Sequence, residues 1–328
     1  MSASAPPHVS VIVPIYNGVP DLPQLGDCLL AQTFPPDQAE YLLVDNNSQD
    51  ETLAALHQFA EQAATQGLTV KPLSEDRIQS SYAARNQGIR AARGQLLAFT
   101  DADCRPQPDW LEKLVQPFAD PAVTLVVGEV QALPSTNWLE RYADYRGFLT
   151  QKHTLAHSFL PYGQTANLAV RRSVLAQTGL FRPHLTTGGD ADFCWRVQMD
   201  GAGQLHFAED AVVRHRHRST FKALASQWRR YGRSNRYLHE LYGVPLQTAS
   251  PEYALAPRLT RWVLKDLPKG AWRGLQGDPL LVGMAAGLLD IFCGRSREIG
   301  QRDAQLPDNA RDIEWLEPED VDTTMTSS

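Results

Sequence analysis

Asp101 and Asp103 stand at the end of the apolar run Gln95–Thr100, with only Ala102 between them. Carboxylate oxygens are hard ligands, and a pair of them suits Mg²⁺ or Mn²⁺ holding a phosphorylated substrate. The run itself reads as a buried strand. Strand side chains alternate faces, so if the extended geometry persists both carboxylates look toward one spot past the strand's carboxyl end. Open α/β sheets take their ligands at that edge. An Asp-rich turn after a strand is the plainer alternative for any such pair, and the context must decide.

The elements that position the pair are legible in the first half of the chain. Val9–Ile15 is a β-branched run, followed by a helix over Asp21–Ala31. Glu40–Val44 is a second strand ending at Asp45-Asn46-Asn47-Ser48, and a helix over Asp50–Ala64 follows with an apolar stripe. Thr69–Leu73 is a third strand, Ser81–Ala92 a helix and Gln95–Thr100 a fourth strand. Strands alternating with helices predict an α/β fold with a mostly parallel sheet flanked by helices. The rhythm loosens after Pro108. There the patterns predict a helix over Asp109–Phe118, a strand over Val123–Val130 and a long helix over Trp138–Leu155. A strand over Gln164–Arg171 and helices from Ser173 and over Asp190–Met199 come next. A strand pair at Leu205–Phe207 and Ala211–His215 leads to an amphipathic helix over Ser219–Tyr242. Three segments are expected: a catalytic domain over residues 1–218, a helical appendage over 219–301 and a poorly ordered acidic tail over 302–328.

With 328 residues the chain has room for one large core plus an appendage. Its 37 acidic residues against 31 basic ones argue against a general nucleic-acid binder. Cys28, Cys104, Cys194 and Cys293 are scattered without metal-site spacing, which fits free thiols in a reducing compartment, the cytoplasm. No apolar run reaches the roughly 20 residues of a membrane span, and the N-terminus carries no signal-peptide pattern.

The segments VSVIVPIYN, LLVDNNSQDET, AARNQGIRAARG, LLAFTDAD and GGDADFCWR follow one another over Val9–Arg196, within a resemblance that covers Val9 to about Arg236. In that order and at these separations they resemble family 2 glycosyltransferases of the GT-A fold, a Rossmann-like architecture. The resemblance implies an inverting, hexosyltransferase-type enzyme. Such an enzyme moves a sugar from a nucleoside-diphosphate donor to the hydroxyl of a saccharide or lipid-linked saccharide acceptor, with Mn²⁺ or Mg²⁺. Asp103 matches the family's metal-binding Asp, and Asp101 its partner nearer the ribose and the metal's water shell. Asp45 matches the Asp that helps hold the nucleotide base, and Tyr16 lies where a ring covers that base. Arg85 matches an Arg that approaches ribose or diphosphate. Asp190 matches the general base; a helix N-terminus there favours the ionised carboxylate. Capping of the helix by Asp190 is the structural alternative, and Asp192 is its competitor as base. His215 matches a metal-ligating His, which tilts the preference toward Mn²⁺.

The chain departs from the family at two places. Gly189 stands where Glu often precedes the base, and Gln227-Trp228-Arg229-Arg230-Tyr231 ends in Tyr where processive relatives have Trp. With no membrane helices in the pattern, transfer of a single sugar is expected. Two roles for the basic helix 219–242 remain open: its stripe covers the catalytic core, or it rests peripherally on the inner face of an anionic cytoplasmic membrane. A nucleotide-sugar hydrolase, a nucleotidyltransferase on a similar fold and an inactive nucleotide-binding relative are the rival functions.

Overall fold

The computed structural model describes residues 8–200, 203–246, 257, 260–268 and 280–316. Strand β1 (Val9–Ile15) is buried at every position, as an apolar strand covered on both faces must be. Helix α1 (Leu22–Leu30) leads to β2 (Ala39–Asp45), α2 (Thr52–Thr65), β3 (Thr69–Ser74), α3 (Ser81–Ala91) and β4 (Leu96–Thr100). These four strands pair in parallel, β2 lying between β3 and β1, and β1 between β2 and β4. The expected parallel sheet occupies this half of the molecule.

The other half adds β5 (Cys104–Pro106), α4 (Trp110–Val115), β6 (Val123–Ala132), α5 (Trp138–Tyr145), α6 (Lys152–Leu155) and β7 (Asn167–Arg171). Helices α7 (Leu175–Thr178) and α8 (Gly189–Met199) and strand β8 (Gln204–His215) complete it. The sheet has eight strands in the order β3-β2-β1-β4-β7-β6-β8-β5. Its second half is built from antiparallel pairs, β7 with β4 and β6, and β5 with β8. The strand pair expected at 205–215 is one continuous strand.

By contacts the chain divides into two compact units. One comprises Met1–Gln131, Thr150–His215 and Pro307–Ser328, the other Ala132–Leu149 and Arg216–Leu306. The expected boundaries are therefore crossed twice. The long helix predicted over 138–155 is broken: the N–H of Gly147 (φ 62°) bonds to Asp144 O and that of Phe148 to Ala143 O, a closure that ends α5. The tail differs as well. Residues 307–316 are ordered by specific bonds within the first unit: Glu314 accepts from Asn86 Nδ2 at 2.7 Å and Arg90 Nη2 at 2.8 Å, and Leu180 N donates to its carbonyl. Acidic composition favours solvation, yet here a carboxylate meets fixed donors. Residues 317–328 lie outside the described part.

The second unit is helical. Helix α9 (Phe221–Tyr242) starts with Thr220 as its cap, the hydroxyl accepting from Ala223 N at 3.2 Å, and ends before Gly243. It packs along α10 (Leu280–Asp303), where a Cβ on Gly232 would collide with the Arg297 carbonyl oxygen. Leu224 is buried with Leu139, Tyr142, Val282, Ala286, Leu289 and Cys293, and Trp228 packs against the same cluster. Most of the α9 stripe is thus covered by α10 and α5, a partner that a single-helix pattern cannot name. Phe221 stays 48% exposed. Among the described residues no helix is long and apolar enough to cross a membrane.

Candidate active site

The site lies at the carboxyl ends of β1, β2 and β4. Tyr16, directly after β1, is 51% exposed. The loop it opens is tied to the loop after β2: Asn17 N donates to Ser48 Oγ at 2.9 Å, and Gln49 N donates to Asn17 Oδ1 at 2.8 Å. Asn17 (φ 49°) and Asn47 (φ 57°) take left-handed backbone, which Asn tolerates better than most side chains. Asp45, at the end of β2, is buried. Its Oδ2 accepts from Ser48 N at 3.3 Å, while its buried Oδ1 has no hydrogen-bond partner among the described residues. An unmet buried acceptor is costly, so this oxygen is open to an N–H or O–H of a ligand or of water. Asn46 faces elsewhere and holds the loop after β3, donating to Glu75 O and Ile78 O at 3.1 and 3.0 Å.

Asp101 and Asp103 do not stay in extended geometry. β4 ends at Thr100, and Cys104 N donates to Asp101 O at 3.0 Å, so the pair sits on a turn. The turn splits the two carboxylates. Asp101 Oδ1 accepts from Arg85 Nη2 at 2.6 Å, with Arg85 reaching in from α3 and buried. The Nε of that guanidinium is a second buried polar atom without a partner among the described residues. Asp103 turns the other way, its Oδ2 lying 3.1 Å from His215 Nε2 at the end of β8. Ligand atoms of Asp103, Cys104 and His215 lie within 4.8 Å of one another, a grouping that leaves Asp101 outside. A carboxylate and an imidazole this close fit a divalent transition cation. Cys104 is register partner of His215, and burial, with the carboxylates of Asp101 and Asp103, pushes its thiol well up, so at neutral pH it is protonated. Sequence spacing did not single out Cys104, because the β5–β8 pairing that brings it to His215 is long-range.

Asp190 is in the first turn of α8, where Gly188 (φ 80°) is the cap and brings no side chain. Asp190 therefore does not cap the helix. Its Oδ1 accepts from Thr165 Oγ1 at 3.0 Å. The neighbouring Ala166 carbonyl accepts from Thr100 Oγ1 at 3.0 Å, which brings this segment to the end of β4 beside Asp101. Burial pushes the Asp190 carboxyl up; the Arg85 guanidinium pulls it down, the Asp101 carboxylate pushes it up, and the bonds from Thr165 pull it down, with a net direction upward. The net is upward because desolvation penalises the charge more than the Arg85 guanidinium and the Thr165 bonds favour it. Asp192 is no competitor: it is fully buried and held by Arg182 at 2.8 Å and Arg196 at 2.9 Å. Asp45, Arg85, Asp101, Asp103, Asp190 and His215 all occur within the first unit.

The family profile described as glycosyl transferase family 2 matches residues 10–179, and that of glycosyl transferase family group 2 matches residues 96–277. The chain belongs to glycosyl transferase family 2. Among its relatives, this family 2 chain is 36% identical over 225 residues to glycosyltransferase AglE of Haloferax volcanii, 68% of this chain and 71% of that one. It is 28% identical over 277 residues to the pre-mycofactocin glycosyltransferase of Mycobacterium tuberculosis, 82% of this chain but 55% of that protein. In fold it is similar to a mannosyltransferase of Pyrobaculum calidifontis solved with GDP-Man and Mn²⁺, with a TM-score of 0.59 and 20% identity over 90% of this chain and 88% of the other. The sheet and its flanking helices thus have the GT-A glycosyltransferase architecture. Two residues that the sequence reading missed, Thr165 and Tyr82, contact the segment bearing Asp190; neither lies in a segment of distinctive spacing around the base.

Proposed function

We propose that this family 2 glycosyltransferase moves a single hexose from a nucleoside-diphosphate sugar to an acceptor hydroxyl with inversion, and that Asp190 is its general base. One observation carries the reading: Asp190, with its carboxyl pushed up, lies within electrostatic reach of both Arg85 and Asp101. A base beside the charges that hold a diphosphate is what one-step displacement needs. Asp190 accepts the proton of the acceptor hydroxyl as that oxygen bonds to the sugar's anomeric carbon, while the bond from that carbon to the diphosphate breaks and the nucleoside diphosphate departs. Arg85 and Asp101 orient the ribose and diphosphate. Asp45, through its unmet Oδ1, and Tyr16, through its exposed ring, hold the base. Asp103 and His215, with Asp101, are the residues that would hold Mn²⁺ or Mg²⁺; the cation would supply positive charge to the leaving diphosphate.

A saccharide or lipid-linked saccharide is the acceptor class that follows from this reading. The free state of all four cysteines accords with a cytoplasmic enzyme. A peripheral contact with the inner membrane face is favoured by one feature of the second unit. There the exposed ring of Trp138, on α5, packs at 5.7 Å against the exposed ring of Phe221 on α9, which also exposes Lys222, Arg229, Arg230 and Arg233. Flotation with anionic and with neutral liposomes tests it; equal flotation with both removes it.

The central test is a thermal-shift screen of UDP-glucose, UDP-galactose, dTDP-glucose and GDP-mannose with and without Mn²⁺, followed by nucleoside-diphosphate release with and without an alkyl glycoside acceptor. A Mn²⁺-dependent shift and acceptor-stimulated release are expected. Release that an acceptor does not stimulate points to a hydrolase instead.

A further inference from the structure

Tyr82 has no part in the chemistry above, yet it contacts Arg85 and the residue before Asp190. It lies in the first turn of α3, one turn before Arg85, and is buried. Its hydroxyl accepts the backbone N–H of Gly189, the residue before Asp190, at 3.0 Å. That N–H is among the first of α8 and has no partner inside its own helix. With Gly188 as the cap, no local side chain serves it. Tyr82 therefore does from across the site what a capping side chain does elsewhere. Contact with the ring is equally close. A Cβ on Gly189 would stand 2.6 Å from Tyr82 Cζ and 2.8 Å from each Cε, so this ring and a side chain at position 189 exclude each other.

Tyr82 also belongs to an aromatic column. Its ring stacks on Phe181 (5.8 Å, 18°), and Phe181 stacks on Phe193 of α8 (4.2 Å, 22°). Phe181 meets Phe99 of β4 edge-on at 5.5 Å. The Arg85 guanidinium sits over the Tyr82 ring, 5.6 Å from its centroid. Elements bearing Arg85, Asp101 and Asp190 are thus packed through one set of rings.

We propose that Tyr82 is the positioning residue of the general base: its hydroxyl fixes the first turn of α8, and hence the direction of Asp190, while its ring fills the space that a side chain at 189 would need. The proposal rests on Asp190 being the base. Tyr82→Phe removes one oxygen and leaves the Gly189 N–H unmet. With the sugar nucleotide selected by the screen above, Mn²⁺ and octyl glucoside as acceptor, kcat falls about tenfold and KM for the sugar nucleotide stays within about twofold. In an Asp190→Asn background the same change costs nothing further, because the residue through which it acts is gone. A second pair of variants covers a failure of Tyr82→Phe to fold. Gly189→Ala loses at least tenfold in kcat with Tyr82 present, and recovers part of it when Tyr82 becomes Ala.

Wild-type kcat in Tyr82→Phe overturns the proposal, as does an equal loss in the Asp190→Asn background or a Gly189→Ala defect that Tyr82→Ala does not relieve. If Asp190→Asn alone keeps full turnover, the base assignment itself has failed, and with it the premise; if Asp190→Asn is inactive while Tyr82→Phe is not, only the positioning role is lost.

Discussion

Glu40 and Asp45 lie on the same strand, both buried, and their surroundings treat them in opposite ways. Glu40, near the start of β2, accepts from Ser10 Oγ at 2.7 Å, Lys71 Nζ at 2.8 Å and Arg93 N at 2.7 Å. Burial pushes its carboxyl up, but the bonds from Lys71, Ser10 and Arg93 and the Lys71 charge outweigh that, so the net direction is down. Asp45, at the other end, keeps one oxygen buried and unmet. The same contrast holds between the two edges of the sheet. At the amino-terminal edge the carboxylate's demands are met by the protein. At the carboxyl-terminal edge Asp45 Oδ1 and Arg85 Nε have no partners among the described residues and Asp190 is pushed up. A satisfied buried charge serves the fold, whereas an unsatisfied one is costly to it and marks a candidate binding or reacting group.

The contrast is broken most decisively at Asp190. Asp190→Asn is expected to lower kcat by about 10³-fold while Mn²⁺-dependent nucleotide binding persists, measured by turnover and by thermal shift. The same variant should melt higher than wild type at pH 8. A carboxyl whose folded value is raised binds more protons folded than unfolded, so stability falls as pH climbs from the ordinary carboxylate value through the raised one. Above that window the penalty is complete, and Asn removes it; the gap between the two proteins closes at low pH.

Glu40→Ala should act on the fold instead. It strands Ser10 Oγ and Arg93 N, and a loss of about 3 kcal/mol in urea unfolding is expected with KM unchanged. Glu40 has the opposite sign of pH dependence: its lowered value contributes stability above the ordinary glutamate range, lost as pH falls through the folded value. Asp45→Ala should weaken nucleotide binding about tenfold and leave the empty protein no less stable, because an unmet acceptor disappears. Titration calorimetry with UDP and GDP, beside a melt, reads both signs. The smallest effect is expected at Thr165. Thr165→Val removes the bond that favours ionised Asp190, and the acid limb of the kcat profile should move up by less than about one pH unit.

The candidates Asp45, Arg85, Asp101, Asp103, Asp190 and His215 came from the family resemblance, and the strands that end at Asp45, at Thr100 before Asp101, and at His215 are legible from their apolar patterns. Alternation of strand and helix in the first hundred residues carries the parallel half of the sheet. Other features were not legible, for one reason: they depend on partners distant in sequence. Asp101 and Asp103 looked like a matched pair, yet the turn at Cys104 sends one to Arg85 and the other to His215. Asp192 stood in sequence as a weaker competitor to Asp190, and only the fold shows Arg182 and Arg196 claiming it. The acidic end of the chain looked solvated until Asn86 and Arg90 met Glu314.

Residue order by itself determined the elements, the family and the acids at the strand ends, because periodicity and local turn chemistry act over a few neighbours. Which acids are neutralised, which are left unmet and which ring stands behind the base were decided only in three dimensions. Charge and hydrogen bonding inside a protein depend on desolvation and on partners across space, and those exist only once the chain has closed around them.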